Sequence, residues 1–385
     1  MPPILFSHGG DIYGSAPIRL DFSVNTTPLG IPPAVLRAVS SCREEILHYP
    51  DSQCRKLREA LAAYWTKFLT FSSSTTGSIH PSEIICGNGA ADLIFGLVEA
   101  LKPRRAVLFA PCFSEYEAAL RLRGCEMLYI PLYPEENWLP NPERLSEALA
   151  RVGGADLIFL GNPNNPTGMA LVTEELEVFV RICRSYHALL AVDECFNGFL
   201  EAPERYTMAG LTGVYENLFV LNAFTKTHGM AGLRLGYAIC KDTKLLDKIA
   251  AVRQPWSVSG IAQKAGIAAL SEENFIRRSR EVVRKERPFL TEGLEKLGFT
   301  VYPSMVNYIL FSTSENVGYV SKDLKDFLTE QQILIRSCAN YRGLDSSFYR
   351  IAVRTHEENR ELLHCMGEWK NSIFSKEILL DKDQN

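Results

Sequence analysis

No run of 18 apolar residues occurs in the 385-residue chain, so nothing in it is built to cross a membrane as a helix. A basic stripe is also lacking. Lys and Arg number 41 against 45 Asp and Glu, a net charge of -4 with both signs interspersed, which argues against nucleic acid as a partner. Met1 to Gly10 has no basic region followed by an apolar core, so no secretory leader is expected and a cytoplasmic location is. Ten cysteines are present, yet no two are separated by only two residues. That excludes C-x-x-C zinc and redox sites, and no metal is expected. Cys86, Cys195 and Cys240 lie in apolar runs and read as reduced, buried small hydrophobes. Repeats of 20–50 residues are absent. The one low-complexity stretch, Phe71 to Ser78, reads as a polar surface loop.

What is present is a long alternation. Apolar residues make up 46% of the chain, enough for a large core. Strand-like runs at Glu83–Cys86, Ala106–Ala110, Met127–Pro131, Leu157–Leu160, Leu189–Val192, Leu218–Leu221 and Leu235–Cys240 are interleaved with helical periodicity at Ala90–Leu101, Ser114–Arg123, Pro142–Ala150 and Thr173–Tyr186. This predicts an α/β fold with a mainly parallel seven-stranded sheet between helices. After about Gln254 the order changes to helices followed by strands, which predicts a smaller α+β domain. The expected division is 46–253 for the large domain, and 1–45 with 254–385 for the small one and its N-terminal arm. The charged tail after Phe374 is expected to fray.

Polar groups cluster where strands stop. Cys86-Gly87-Asn88-Gly89-Ala90-Ala91 reads as a strand, a small-residue turn and a helix start, able to bring backbone N–H groups to a phosphate. It is not a G-x-G-x-x-G, since residue 92 is Asp. Asn162-Pro163-Asn164-Asn165-Pro166 is a rigid polar loop that presents Asn165 as an amide donor. Asp193 ends an apolar strand, where an unpartnered carboxylate would be costly. Lys226 follows a further strand and Arg234 lies eight residues on. A lysine can condense with an aldehyde, and an arginine can grip a phosphate. Pyridoxal 5'-phosphate (PLP) carries both groups, and its protonated ring nitrogen suits Asp193. Taken singly, each motif reads more readily as a turn, a cap or an ion pair. Together they describe one cofactor site.

With these motifs in this order, the chain resembles the PLP-dependent aminotransferases of fold type I, class I/II, over nearly its whole length. The resemblance implies that Lys226 is the covalent anchor and proton shuttle, and that Asp193 pairs with the ring nitrogen. It makes Asn165 the donor to the 3'-oxygen, and Arg234, Thr225 and the backbone of Ala90 and Ala91 the phosphate ligands. Phe113 would stack on the ring. Tyr49, in His48-Tyr49-Pro50-Asp51, would reach the neighbouring subunit's phosphate, which implies a homodimer with shared active sites.

Within the family the chain is most similar to the branch holding histidinol-phosphate aminotransferases and L-threonine-O-3-phosphate decarboxylases. His8-Gly9-Gly10, the Phe113–Glu117 segment, Phe196 in place of Tyr, and the segments around Arg336 and Arg350–Arg354 lean toward the decarboxylases. Ala231 leans the other way, and Ala223 stands where much of the family has Ser or Thr. The resemblance implies a phosphorylated amino acid or amine as substrate, with Arg350 on its carboxylate, Arg336 and His8 on its phosphate, and Asn165 nearby. The reading it favours is a decarboxylase of cobalamin side-chain synthesis. A class I/II aminotransferase is the alternative, and a PLP-binding protein without turnover a more distant one.

Overall fold

Seven apolar runs pair into one sheet. A computed structural model, in which residues 8–14, 17–71, 78–313 and 323–382 are described, shows them as β1 (Ile84–Gly87), β2 (Arg105–Ala110), β3 (Glu126–Pro131), β4 (Leu157–Gly161), β5 (Leu189–Asp193), β6 (Leu218–Ala223) and β7 (Gly236–Cys240). Across the sheet they run β1-β7-β6-β5-β4-β2-β3. β7 is antiparallel to both neighbours, and β2 to β6 pair in parallel.

Successive side chains in a strand point to opposite faces. Val107, Phe109, Ile158, Leu160, Leu190 and Val192 face one helical layer, which holds Leu57 and Leu61 of helix Arg55–Phe71 and Phe179 of helix Thr173–Ser185. Ala106, Leu108, Leu157, Phe159, Leu189 and Ala191 face the other, which holds Leu93 and Leu97 of helix Gly89–Leu101 and Ile249 of helix Thr243–Val252. A strand covered on both faces has no use for polar alternation, so it reads as a continuous apolar run. Each fully buried Leu or Ile contributes about 1.5–3 kcal/mol.

The later strands form a separate antiparallel sheet in the order Arg336–Ser337, Phe348–Ala352, Tyr308–Ser312, Thr300–Val301. Leu20–Asp21 pairs in parallel with Ile333–Leu334, and Phe22 enters the core beneath that sheet with Leu290 and Ile351. Helix Gly260–Ala269 packs Ala262 and Ala265 into the core of the large sheet. The last helix, His356–Lys382, runs past Phe374, where fraying was expected. Most of the polar loop expected at Phe71–Ser78 lies outside the described residues. All ten cysteines are unpaired and nine are buried, Cys112 being half-buried.

The chain passes from β2 outward to β3 and back to β4 on the other side of β2. The order therefore reverses between β2 and β4, and a crevice opens beyond their carboxyl ends. Phe113 and Asn165 follow these two strands. Asp193 ends β5 directly beside Gly161 of β4.

Candidate active site

β6 ends at Ala223, and the chain makes one helical turn, Phe224–Thr227, which carries Lys226. The side chain is half-buried, with Nζ 5.5 Å from the centre of the Phe196 ring. Burial pushes its pKa from 10.5 down to about 8; the Arg350 and Arg234 charges act the same way, and Cys195 and Asp193 oppose them. Such a lysine has a far larger neutral, nucleophilic fraction near neutral pH than an ordinary one. Its carbonyl accepts a hydrogen bond from Thr27 N at 2.9 Å, so the Val24–Leu29 loop touches the lysine segment directly.

Asp193 is held from two sides. Tyr116 Oη donates to its Oδ2 at 2.7 Å, and Cys195 N donates to its Oδ1 at 3.0 Å. The Tyr116 phenol is pushed well above its ordinary pKa, first by burial and then by the Asp193 charge, so it stays a donor. Phe113 sits on the same side, edge-on to Tyr116 with ring centres 5.7 Å apart. The Asn165 amide oxygen accepts from Arg350 Nη1, and Tyr341 Oη lies 3.4 Å away. With the oxygen engaged, the amide NH2 is the end left for an acceptor.

A cradle lies on the other side of Lys226. Gly89 opens the helix Gly89–Leu101 at φ +81°, and a Cβ there would sit 2.7 Å from Arg234 Nη2. A Cβ on Gly236 would sit 2.5 Å from Ala90 N. Glycine at both positions lets Arg234 and β7 close on the helix start. The Ala90 and Ala91 amides are in the first turn and lack intrahelical acceptors. Thr225 is in the first turn of the lysine helix. A helix N-terminus with a guanidinium against it is suited to a dianionic phosphate.

Arg336 and Arg350 are directly opposite each other across antiparallel strands. Both are buried. Arg350 Nη2 donates to Ser23 O at 2.9 Å, while its Nε has no hydrogen-bond partner. Arg336 Nη2 donates to Asn340 Oδ1 at 2.8 Å. His8 and Arg336 line one cavity of about 480 Å³, and His8 Nε2 lies 3.1 Å from Glu115 Oε1. Arg354 is engaged elsewhere, 3.1 Å from Glu358 Oε1, in agreement with an ordinary ion pair. Tyr49 is 82% exposed and packs on Trp256, with ring centres 4.9 Å apart. It stands apart from the other predicted residues of its own chain.

The profile of the aminotransferase class I and II family matches residues 17–365. The chain belongs to that family. It is 34% identical to the threonine-phosphate decarboxylase of Salmonella typhimurium over 370 residues, covering 94% of this chain and 95% of that one. It is 31% identical to the histidinol-phosphate aminotransferase of Symbiobacterium thermophilum over 345 residues, covering 89% and 88%. Its fold matches that of the histidinol-phosphate aminotransferase from Clostridium acetobutylicum with a TM-score of 0.80 at 28% identity, covering 92% of this chain and all of that one.

This aminotransferase-family enzyme uses PLP. Its residues fit the cofactor: a depressed-pKa lysine, a carboxylate fixed by two donors, an available amide, and a glycine-lined cradle beside Arg234. Motif reading missed the groups that hold these in place. Tyr116 carried a signal, lying three residues after Phe113 and so on the same helix face. Ser23 and Tyr341 carried none, because they reach the site only through the second sheet. Among the described residues no helix is long and apolar enough to span a membrane, and no cluster suited to a metal occurs.

Proposed function

We propose that this enzyme is an L-threonine-O-3-phosphate decarboxylase that works as a homodimer. The observation that carries the reading is the cross-strand pair Arg336–Arg350, two buried guanidiniums side by side on the wall that meets Asn165. Directly opposed residues in an antiparallel pair have Cα atoms about 4.5–5.5 Å apart. That spacing suits a short substrate with an anion at each end. In this reading Arg350, whose Nη1 and Nη2 also hold Asn165 and Ser23, binds the carboxylate, and Arg336 with His8 binds the phosphate. Phe196 beside Lys226 and the 34% identity to an enzyme named for this activity also support it.

PLP, when bound, supplies an electron-accepting ring that stabilises negative charge at the substrate Cα. Asp193, steadied by Tyr116 and Cys195, would keep the ring nitrogen protonated. Arg234, Thr225 and the Ala90 and Ala91 amides would hold the phosphate, and Asn165 the 3'-oxygen. Arg350 would orient the carboxylate so that its bond to Cα is the one that weakens, and Lys226 would deliver the proton that replaces CO2. The Val24–Leu29 loop, tied to the Lys226 carbonyl, would help set that orientation.

Histidinol-phosphate aminotransferase is the second reading, favoured by relatives of nearly equal identity. The deciding assay supplies threonine phosphate and measures CO2 and aminopropanol phosphate. Amino transfer from histidinol phosphate to 2-oxoglutarate without CO2 release would refute the decarboxylase reading.

A further inference from the structure

One buried tyrosine touches both sides of the crevice. Tyr308 is fully buried and lies two positions from Leu310, the residue opposite Arg350 in the antiparallel pair, so its side chain is on the Arg350 face of the second sheet. The Arg350 guanidinium carbon sits 5.4 Å from the centre of its ring. A cation at that range is attracted to an aromatic face, more strongly where water is excluded. At the other end of the same side chain, Tyr308 Oη donates to Asn164 O at 2.7 Å. Asn164 immediately precedes Asn165, and Arg350 Nη1 donates to Asn165 Oδ1. The circuit Tyr308–Arg350–Asn165–Asn164 therefore closes on itself, with two members on each sheet's side of the crevice.

Burial pushes the Tyr308 pKa well above 10, outweighing the opposing Arg350 charge, so the hydroxyl stays a donor. Phe196 packs edge-on to Tyr308 with ring centres 5.0 Å apart, and it has no hydroxyl to offer the cofactor's 3'-oxygen. The position of the Asn165 amide matters the more for that. Tyr341 lies 5.4 Å from the Arg336 guanidinium carbon in a similar way, but its hydroxyl is 3.4 Å from Asn165 Oδ1, long for an O–H donor. Tyr308 is the one that makes a short bond as well as a ring contact.

We propose that Tyr308 is a positioning residue, whose ring sets the Arg350 guanidinium and whose hydroxyl sets the Asn164–Asn165 segment. The proposal rests on the reading of Asn165 as donor to the 3'-oxygen and of Arg350 as a substrate contact. Loss of the proton from the Lys226–cofactor linkage leaves the 3'-oxygen with its full negative charge, which a well-placed amide stabilises. A displaced amide raises the pH of that step.

The test is a pH titration of the absorbance of the PLP-loaded enzyme, with KM measured for threonine phosphate, or for histidinol phosphate if that is the one turned over. Tyr308→Phe keeps the ring and removes the hydroxyl. Its absorbance midpoint should rise by at least about half a unit, with KM within about twofold of wild type. Tyr308→Leu removes both, and should add a rise in KM of about tenfold or more. If Tyr308→Leu does not fold, the Tyr308→Phe midpoint decides. Asn165→Ala and Arg350→Gln test the underlying site, and should raise the midpoint and KM respectively. If these two variants act as expected while Tyr308→Phe leaves the midpoint unmoved, even with a lowered melting temperature, the tyrosine is merely structural and the proposal is overturned alone. If Asn165→Ala and Arg350→Gln move neither readout, the site reading falls and the proposal with it.

Discussion

At the scale of single residues, burial decides which groups are chemically available. Lys226 has its pKa pushed from 10.5 to about 8, so its amine is cationic below that pH and neutral above it. Attachment of added PLP to the cofactor-free protein, followed by absorbance, should therefore accelerate as pH rises through about 8. A profile that rises only near 10.5 would contradict the assignment. Lys226→Ala should lose both the covalent absorbance band and turnover. Glu194 shows the opposite case. It is fully buried beside Asp193 and accepts from Thr207 Oγ1 and Met208 N, each at 2.6 Å. Burial raises its pKa from 4.5 to about 8 despite those bonds. The folded state then keeps a proton that the unfolded chain has released between these values. This contribution to stability is present below about pH 4.5 and is lost as pH rises through about 8. It amounts to a few kcal/mol, at roughly 1.4 kcal/mol per tenfold in proton affinity. Glu194→Gln cannot ionise, so its melting temperature should fall less than the wild type's between pH 5 and 8.5. Parallel curves would disprove the account.

At the scale of elements, the site depends on close approach between backbones. β7 lies against the start of helix Gly89–Leu101 because Gly236 has no Cβ to meet Ala90 N. Gly236→Ala should force the two apart, costing about 1–3 kcal/mol as overpacking does. It should also weaken PLP binding, because the amides and Arg234 no longer converge. Thermal unfolding and cofactor titration measure the two effects, and unchanged cofactor affinity would show that the cradle is not where we place it. The strands themselves were legible, since burial on both faces writes an apolar run into the sequence. Helix Arg55–Phe71 was less so. Its inward residues Leu57, Leu61, Trp65 and Leu69 recur every four positions, but charged and polar residues between them dilute the pattern.

At the scale of the whole molecule, the second sheet brings Arg336 and Arg350, the latter held on Ser23 O, to a crevice formed by the first. The N-terminal strand pairs with Ile333–Leu334, more than 300 positions away, in a separate two-stranded sheet, and Phe22 O accepts from Ala352 N of the second sheet, contacts that no local pattern records. Tyr49 stands outside its own chain's site and is exposed, which fits the proposed exchange of tyrosines between subunits. Mixing Tyr49→Ala with Lys226→Ala, each inactive or nearly so alone, should restore about a quarter of wild-type activity, because random pairing leaves one intact site in each mixed dimer. Absence of recovery, with mixed dimers verified by mass, would refute a shared site.

The cofactor chemistry was determined by the sequence alone. Lys226, Asp193, Asn165 and the glycine turn each follow a strand, and strand ends in a parallel sheet converge by geometry. Tertiary structure decided what distance along the chain conceals: that Tyr116 steadies Asp193, and that Arg350 is buried against Asn165 and Ser23 while Arg354 is tied to Glu358. The reason is physical. Local sequence sets periodicity and strand ends, whereas the pairing, burial and pKa of a side chain depend on neighbours that only packing supplies.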